Sequence, residues 1–481
     1  MNLIKKLTPS KHLVKQSLQG HAWMGLFWAG LLYLICLSGT LVVFFPEMER
    51  WEQPLEAEYT EMSAPAISQA LTAFQQKIDE PIESLYYIYP SEDIPRAHVS
   101  ANDQEWWLNK AGDLTEAVDA PWTSMMTDLH IYLHLPHTIG IIIVGMLGAM
   151  MCGLVISGVL SHPNLFKDAF KMRWGGNKHL EQTDLHNRLS VWSLPFFLVI
   201  SLTGAYIGLF GVNMTVADYF DESITSEEVI STVFGDDPLI DEAPTVVSIQ
   251  TIQDDLKERE PQAEFLYLVV QKPGTDGQYV EMAATLPNRL IYSEIYRYHS
   301  DGRFIDYQHL SDGDAGRQIA YSSYRIHFGH FGGVFTKIMY VLLGFAMTAI
   351  TVTGVNMWFN KRKMRNHWYY LWNGYVWTTP MSIALSAMCS MVFGLNPVYT
   401  FWISLVILSA VALRYQDENK HKNYLQLLRW LTVGLTVMTV FIHGINFPYE
   451  KWYWIFSGSI ILLSILPVLN LRLWTYKWAT A

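Results

Sequence analysis

Histidines at matched positions in apolar segments are the residues of this sequence best suited to chemistry. His21 lies seventeen positions before Ser38, and His186 lies seventeen positions before Thr203; a glycine follows each hydroxyl residue. Ionisable side chains in or near a bilayer are costly and are usually functional. Because neutral imidazole is the commonest metal ligand, paired histidines on facing helices predict a haem or metal site.

A second pair of histidines follows the same rule with a different spacing. His134 lies 23 positions before Ser157, and His330 lies 23 positions before Thr353, again with glycine next. These two belong to clusters, which are His130, His134 and His137 in one case and His327 and His330 in the other. The i, i+4 and i, i+3 spacings predict that each cluster shares a helical face. The chain therefore reads as a duplicated pair of helices, A-B-A′-B′.

Eight apolar stretches must position these histidines, and most are long enough to cross a bilayer as helices. They are 20–46, 137–161, 187–211, 332–359, 375–394, 397–414, 427–446 and 452–470. The first is too long for a signal peptide, and no small-residue cleavage pattern follows it, so it predicts an uncleaved anchor.

The charge distribution predicts the orientation. Segments 47–129 and 212–326 hold 17 and 21 of the 44 acidic residues. Basic residues gather in the other loops, as Lys5, Lys6, Lys11 and Lys15; Lys167, Lys171, Arg173 and Lys178; Lys361, Arg362, Lys363 and Arg365; and Arg414, Lys420, Lys422 and Arg429. The positive-inside rule then places both termini in the cytoplasm and both acidic segments outside. The net charge of −11 argues against nucleic acid as a partner.

The two acidic segments carry the same pattern of elements. Each begins with a helical pattern, at 66–78 and at 247–256. Strand patterns follow at 84–89, 97–100 and 105–109, and again at 265–271, 279–284 and 293–298. The duplication therefore includes two small α+β domains outside the membrane.

The predicted fold is a polytopic helical membrane protein with a four-helix haem-binding bundle, two small α+β domains and four further C-terminal helices. Its predicted divisions are a tail and first helix at 1–46, an outer domain at 47–129, two helices at 130–211, a second outer domain at 212–326, a fourth helix at 327–365 and the C-terminal region at 366–481. Cys36, Cys152 and Cys389 all lie in apolar stretches. No CxxCH motif occurs, so any haem is not of the covalent c type.

This topology places the histidines at two depths. His21 and His186 lie near the inner face, whereas the clusters at 130–137 and 327–330 lie near the outer face. Helix A with A′ can supply one bis-histidine pair, and helix B with B′ can supply another. Two haems bound in this way would form an electron path across the membrane. At the outer face some of the histidines ligate and others contact substrate or carry protons.

Four short segments that contain these histidines resemble the signatures of the PepSY-associated transmembrane family. They are 21–26, 129–136, 184–192 and 326–333, and the resemblance extends over about residues 15–365. The outer domains resemble PepSY domains. The family includes iron-regulated inner-membrane proteins and ferric-siderophore reductases of Gram-negative bacteria. The resemblance therefore implies b-type haem and electron delivery to periplasmic ferric chelates.

The resemblance also implies a ligand set, with His21, His186, His130 and His327 holding haem iron. It favours His130 over His134, whereas the spacing argument favours His134, so both stay open here, as does a binding role for His330.

The function expected from the sequence is that of a membrane oxidoreductase with two haem b groups, placed in the bacterial inner membrane with two periplasmic domains. Its acceptor would be a ferric siderophore or another Fe(III) chelate. No GxGxxG motif and no cytoplasmic loop large enough for a nucleotide or flavin domain occurs, so the donor would be quinol or a separate reductase. Two alternatives are a permease for iron chelates or peptides and a PepSY regulator that binds a peptidase.

Overall fold

The computed structural model describes residues 9–92, 94–162, 164–165, 170–171, 173, 177–220, 235–447 and 451–476. The chain divides into two compact units. The membrane unit consists of Met1–Pro54, Ala120–Leu209 and Lys337–Ala481. The sheet unit consists of Leu55–Asp119 and Phe210–Thr336.

The elements alternate between these two units along the chain. The helices are α1 Lys11–Leu41, α2 Phe45–Glu52, α3 Ala64–Lys77, α4 Pro121–Tyr132, α5 His137–Ser161, α6 Lys178–Trp192, α7 Leu194–Phe220, α8 Ile249–Arg259, α9 Ala315–Phe328, α10 Gly333–Lys361, α11 His367–Phe393, α12 Pro397–Val411, α13 Glu418–Asn446 and α14 Lys451–Tyr476. The strands are β1 Ser84–Ile88, β2 His98–Ala101, β3 Gln104–Leu108, β4 Leu114–Ala117, β5 Glu264–Gln271, β6 Tyr279–Thr285, β7 Glu294–His299 and β8 Phe304–Tyr307.

Seven helices of the described residues are long and apolar enough to cross a membrane. They correspond to the first seven predicted stretches, and α1 and α2 together make the first of them. The eighth stretch is also helical, as α14, but its apolar part, Trp452–Val468, is shorter. The chain is therefore a multi-pass membrane protein.

The predicted helix at 187–211 is interrupted, which changes the place of His186. Helix α6 ends at Trp192, and Ser193 leaves helical geometry with φ −101° and ψ 5°. Pro195 then follows in the first turn of α7. Proline lacks the N–H that would continue the helix and disfavours helical geometry in the preceding residue. His186 therefore lies near the end of α6, and the membrane helix α7 begins eight residues after it.

Helices α1, α5, α7 and α10 pack against one another through apolar clusters. Leu32 of α1 is buried with Leu147 and Leu154 of α5. Cys36 of α1 is buried with Phe197 of α7 and Met347 of α10. Small residues permit still closer packing, which is how membrane helices commonly associate. A Cβ on Gly145 of α5 would lie 2.7 Å from the backbone of Gly208 on α7.

The C-terminal helices pack onto the same bundle through α11. The hydroxyl of Tyr375 on α11 donates to the carbonyl of Gly30 on α1 at 2.8 Å. In the opposite direction, the hydroxyl of Tyr33 on α1 donates to the carbonyl of Val376 at 2.7 Å. The interior of a bilayer has no water that could compete for these backbone carbonyls. The two hydrogen bonds therefore hold α11 against α1.

All eight strands of the sheet unit form one antiparallel sheet, in the order β4-β3-β2-β1-β5-β6-β7-β8. The sequence predicted two separate α+β domains, and this division is wrong, because the two halves join at β1 and β5. The pairing places Leu85 opposite Val270 and Tyr87 opposite Leu268. Each half alone would expose the edge of a four-stranded sheet, and joining them satisfies the backbone groups of both edges.

The two halves also share one hydrophobic core. Ile67 and Phe74 of α3 and Ile252 and Leu256 of α8 are completely buried. They belong to one cluster with residues of both halves of the sheet, including Val280. Burial of each such side chain contributes about 1.5–3 kcal/mol. The duplicated segments therefore fold together as a single unit.

Candidate functional site

His21 on α1 is held against the backbone of α5. Its Nδ1 lies 3.0 Å from the carbonyl oxygen of Leu154 and 3.2 Å from Oγ of Ser157. A Cβ on Gly158 would lie 3.3 Å from the imidazole, so the glycine lets the ring approach the helix closely. Because a carbonyl oxygen can only accept, Nδ1 must carry the ring proton, which leaves the lone pair on Nε2.

His186 on α6 makes the same set of contacts with α10. Its Nδ1 lies 3.1 Å from the carbonyl oxygen of Ile350 and 3.2 Å from Oγ1 of Thr353. Gly354 follows, and a Cβ there would lie 3.4 Å from the ring. Burial, together with the neighbouring imidazole of His21, lowers the pKa of His186 to about 4. The ring is therefore neutral at pH 7, which is the state that binds metal.

The imidazoles of His21 and His186 lie close together, although they belong to different helices. Their ring centroids lie 6.4 Å apart, with the ring planes at 86°. Two axial bonds to one iron, at about 2 Å each, would hold ring centres about 6 Å apart. The separation between the two rings is therefore close to the one that two imidazoles holding a single haem iron would need.

His130 repeats the arrangement a third time, at the end of α4. Its Nδ1 lies 3.1 Å from the carbonyl oxygen of Ile35 and 3.5 Å from Oγ of Ser38, both on α1. Gly39 comes next, and a Cβ there would overlap the ring at 2.4 Å. Burial lowers the pKa of His130 to about 4. His130 is therefore also a neutral imidazole with its proton on Nδ1.

The Ser/Thr–Gly pairs are thus contact sites for the histidines, which the sequence reasoning missed. The sequence used Ser38, Ser157 and Thr353 only to measure spacing along each helix. In the structure each pair receives a histidine from another helix, together with the carbonyl three residues before it. The signal was present in the sequence as a hydroxyl residue and a glycine in adjacent positions, repeated on different apolar helices.

His134 has a different environment from His130. Its Nε2 lies 2.8 Å from the carbonyl oxygen of Met125, and its Nδ1 accepts a hydrogen bond of 2.9 Å from Nε1 of Trp402 on α12. Both ring nitrogens are therefore engaged by the protein. Burial lowers the pKa of His134. Iron could reach this residue only if one of the two hydrogen bonds broke.

The predicted shared faces of the histidine clusters are wrong. Helix α4 ends at Tyr132, and Leu133 and His134 have φ of 57° and 55°. His134 is therefore outside the helix that carries His130. Likewise α9 ends before Gly329, whose φ is 75°, so His330 does not share a helical face with His327. In both places left-handed backbone geometry ends the helix within the cluster.

The second cluster belongs to the sheet unit. His327 lies in the last turn of α9, and His330 follows the helix, with its ring stacked on Phe328 at 5.7 Å between centroids. The carbonyl of His330 accepts a hydrogen bond from Nε of Arg325 at 2.8 Å.

His137, the third histidine of the first cluster, is the first residue of α5 and is exposed. The part of the chain that the structure describes holds no group of three or more His, Cys, Asp or Glu residues arranged as a metal site.

The membrane unit holds histidines on Ser/Thr–Gly pairs, and its segments alternate along the chain with those of an antiparallel sheet unit. The model of the PepSY-associated TM region matches residues 18–361, which include His21, His130, His186 and His327. The chain therefore belongs to this family, and the resemblance noted in the sequence is confirmed.

One relative is an uncharacterized protein of Pseudomonas aeruginosa, PA4219. The two are 32% identical over 91 residues, which is 18% of this chain and 22% of that protein. The matched segment thus spans less than a quarter of the relative.

Proposed function

We propose that this protein is a dihaem b-type membrane oxidoreductase that passes electrons to a ferric siderophore or another Fe(III) chelate. The observation that carries the proposal is the pairing of His21 and His186, with ring centroids 6.4 Å apart. Each ring donates its Nδ1–H to a backbone carbonyl, so both offer Nε2. Two neutral imidazoles on facing helices are a ligand set for haem in a helical bundle.

The chain's own contribution would be ligation and control of the ring orientation. His21 and His186 would hold the first haem, which supplies one-electron Fe(III)/Fe(II) chemistry when bound. The carbonyls of Leu154 and Ile350 fix the tautomer of each ring and increase the basicity of the ligating nitrogen. The hydroxyls of Ser157 and Thr353 add a second contact at the same nitrogen.

For the second haem we propose His130 as a ligand. His130 shares the Nδ1–carbonyl contact of the first pair. His134 has hydrogen bonds on both ring nitrogens, which supports His130 over His134. His134 would instead hold the turn between α4 and α5 against Trp402.

The electrons would pass outward across the bacterial inner membrane, from a quinol or a separate reductase inside to the acceptor outside. The clustering of acidic residues in segments 47–129 and 212–326, and of basic residues elsewhere, supports cytoplasmic termini and a periplasmic sheet unit.

Haem content of the purified full-length protein tests the proposal. A pyridine haemochrome assay should give two haem b per chain, with a low-spin spectrum after dithionite reduction. The reduced protein should be reoxidised by a ferric hydroxamate, with release of Fe(II). Absence of haem would remove the proposed function and leave the permease and the regulator as the alternatives. A value of one haem b per chain would support the His21–His186 site and contradict the second haem site.

A further inference from the structure

Helix α4, which carries His130, has no cap of its own at its first residues. Its N-cap residue is Ala120, which has no side-chain oxygen. The carboxylate of Glu52, the last residue of α2, takes that place and accepts the backbone N–H groups of Trp122 and Thr123, each at 2.9 Å. The oxygen that binds the N–H of Thr123 also accepts its hydroxyl at 2.8 Å. A carboxylate at a helix N-terminus satisfies unpaired N–H groups and is favoured by the helix dipole.

Both ends of α4 are thus attached to one continuous arm of the chain, formed by α1 and α2. Thr123 and His130 are seven residues apart, which places them on the same face of α4, two turns or about 10 Å apart. Thr123 contacts α2 through Glu52, and His130 contacts α1 through the carbonyl of Ile35. Only residues 42–44 separate α1 from α2. The arm therefore holds α4 along one face at two points.

The position of His130 tolerates little movement of α4. A Cβ on Gly39 would lie 2.4 Å from the His130 ring, so the ring already lies against the backbone of α1. The contact of its Nδ1 with Oγ of Ser38 is 3.5 Å long, at the limit of a hydrogen bond. A displacement of α4 by about 1 Å away from α1 would break that contact and lengthen the bond to Ile35 beyond the same limit. The cap at Glu52 therefore influences where the imidazole lies.

Helix α2 is held in turn by two of the C-terminal helices, which lie beyond the residues that the family model matches. Trp51, next to Glu52, is buried, and its Nε1 donates a hydrogen bond of 3.0 Å to Oγ of Ser457 on α14. The indole of Trp51 stacks on the ring of His443 on α13, with 4.3 Å between centroids. These contacts fix the end of α2 that presents Glu52 to α4.

We infer that Glu52 is a positioning residue for His130, and that α13 and α14 act on it through Trp51. The inference rests on the proposed function for the role of His130 as a haem ligand. It assigns a role to α13 and α14, which is to fix the end of α2 that supplies the cap of α4. Without Glu52, the first turn of α4 loses three hydrogen bonds, and its N–H groups are left unsatisfied. Helix α4 is then free to shift along the arm, and His130 leaves its contacts with α1.

Chemical labelling of the histidines tests the inference in the full-length protein, with or without haem. Diethyl pyrocarbonate modifies neutral imidazoles, and mass spectrometry measures the rate at each histidine. Glu52→Ala should raise the rate at His130 about tenfold, because loss of a helix cap corresponds to about that factor. The rates at His21 and His186 should stay as in the wild type. The second haem should dissociate about tenfold faster, and the low-spin signal of that haem alone should shift.

Two milder variants keep the test usable if Glu52→Ala does not fold. Glu52→Gln keeps one acceptor oxygen at the same place, so the labelling of His130 should lie between those of the wild type and Glu52→Ala. Ser457→Ala removes only the acceptor of the Trp51 indole. It should raise the labelling of His130 about threefold, which is the effect expected for the loss of one neutral hydrogen bond.

Tyr375→Phe is the matched control for Ser457→Ala. It also removes one hydrogen bond between helices, but at Gly30, eight residues or about 12 Å along α1 from Ser38. It should leave the labelling of His130 unchanged, and a rise equal to that in Ser457→Ala would contradict the path through α2.

Unchanged labelling of His130 in Glu52→Ala would overturn the inference. An equal rise at His21, His186 and His130 would also overturn it, because it would show a general loosening of the bundle. An effect of Glu52→Ala without one of Ser457→Ala would overturn the part assigned to α13 and α14. If the protein carries no haem, the proposed function fails, and the labelling of His130 alone then decides whether Glu52 positions this ring.

Discussion

Replacement of Gly39 by alanine should displace His130 and remove the haem that we assign to it. A Cβ at this position would lie 2.4 Å from Cε1 and 2.8 Å from Nδ1 of His130. Non-bonded carbon atoms prefer separations of about 3.5–4.0 Å, so the ring would have to retreat by about 1 Å. The equivalent positions are far less tight, since a Cβ at Gly158 or Gly354 would lie 3.3 or 3.4 Å from its histidine.

The expected magnitude follows from this difference. Overpacking of a close contact costs about 1–3 kcal/mol. Retreat of the ring would also lengthen the 3.1 Å contact between Nδ1 and the carbonyl of Ile35, which is worth about 1 kcal/mol. The affinity for the second haem should therefore fall about 10-fold to 1000-fold, because each 1.4 kcal/mol is a factor of ten. Gly158→Ala needs a shift of only a few tenths of an ångström and should lose less than about tenfold.

Haem per chain and the low-spin spectrum, measured during dilution of the detergent-purified protein, provide the assay. Gly344→Ala is the matched control, because its Cβ would meet Oγ1 of Thr40 at 2.4 Å, an equally severe overlap that touches no histidine. Gly39→Ala should fall to one haem, whereas Gly344→Ala should be less stable and retain two. Two stable haems in Gly39→Ala would refute the assignment of His130. Equal haem loss in both variants would show that helix packing, and not the ring position, is responsible.

Three further predictions concern both units. His21→Ala and His186→Ala should each lose the same haem, and the double variant should lose no more; additive haem loss would show separate irons. Glu294→Ala should destabilise the sheet unit by about 2–4 kcal/mol, because its buried carboxylate accepts the N–H groups of Leu310 and Ser311 at 3.1 and 2.8 Å, and hydrogen exchange at those two amides should accelerate. Burial raises the pKa of Glu281. The folded state therefore binds its proton more tightly than the unfolded state, and this contribution to stability is lost as pH rises from about 4.5 through the raised pKa. Glu281→Gln should flatten that part of the stability–pH profile, and an unchanged profile would contradict the stated cause.

Sequence periodicity predicted the regular elements well and their partners poorly. The strand pattern at 84–89 appears as β1, and the helical pattern at 66–78 appears as α3. Alternation of buried residues is a local property, so it can be read along one segment. The pairing of β1 with β5 is set by residues about 180 positions apart, and no local pattern specifies it. The short edge strands β4 and β8, of four residues each, were also missed.

The candidate site shows the same limit. His21, His130 and His186 could be selected by residue type and by their place at apolar helices. Their carbonyl partners could not, because a backbone oxygen has no signature in the sequence. The choice between His130 and His134 likewise depends on Trp402, which lies 268 positions from His134. The sequence assigned Lys420, Lys422 and Arg429 to a loop, whereas all three lie in α13.

The β1–β5 junction has a consequence for biosynthesis. Between these strands the chain must insert α5 and α7 into the membrane, so β1 is made long before its partner exists. During this interval β1 presents an unpaired edge in an incomplete sheet, which is the kind of surface that recruits chaperones or promotes aggregation. Formation of the complete sheet should therefore wait until α7 has been made, and its pace should depend on membrane insertion of the intervening helices. A chain halted after α5 would be expected to be degraded, even though it already contains a complete copy of the first half.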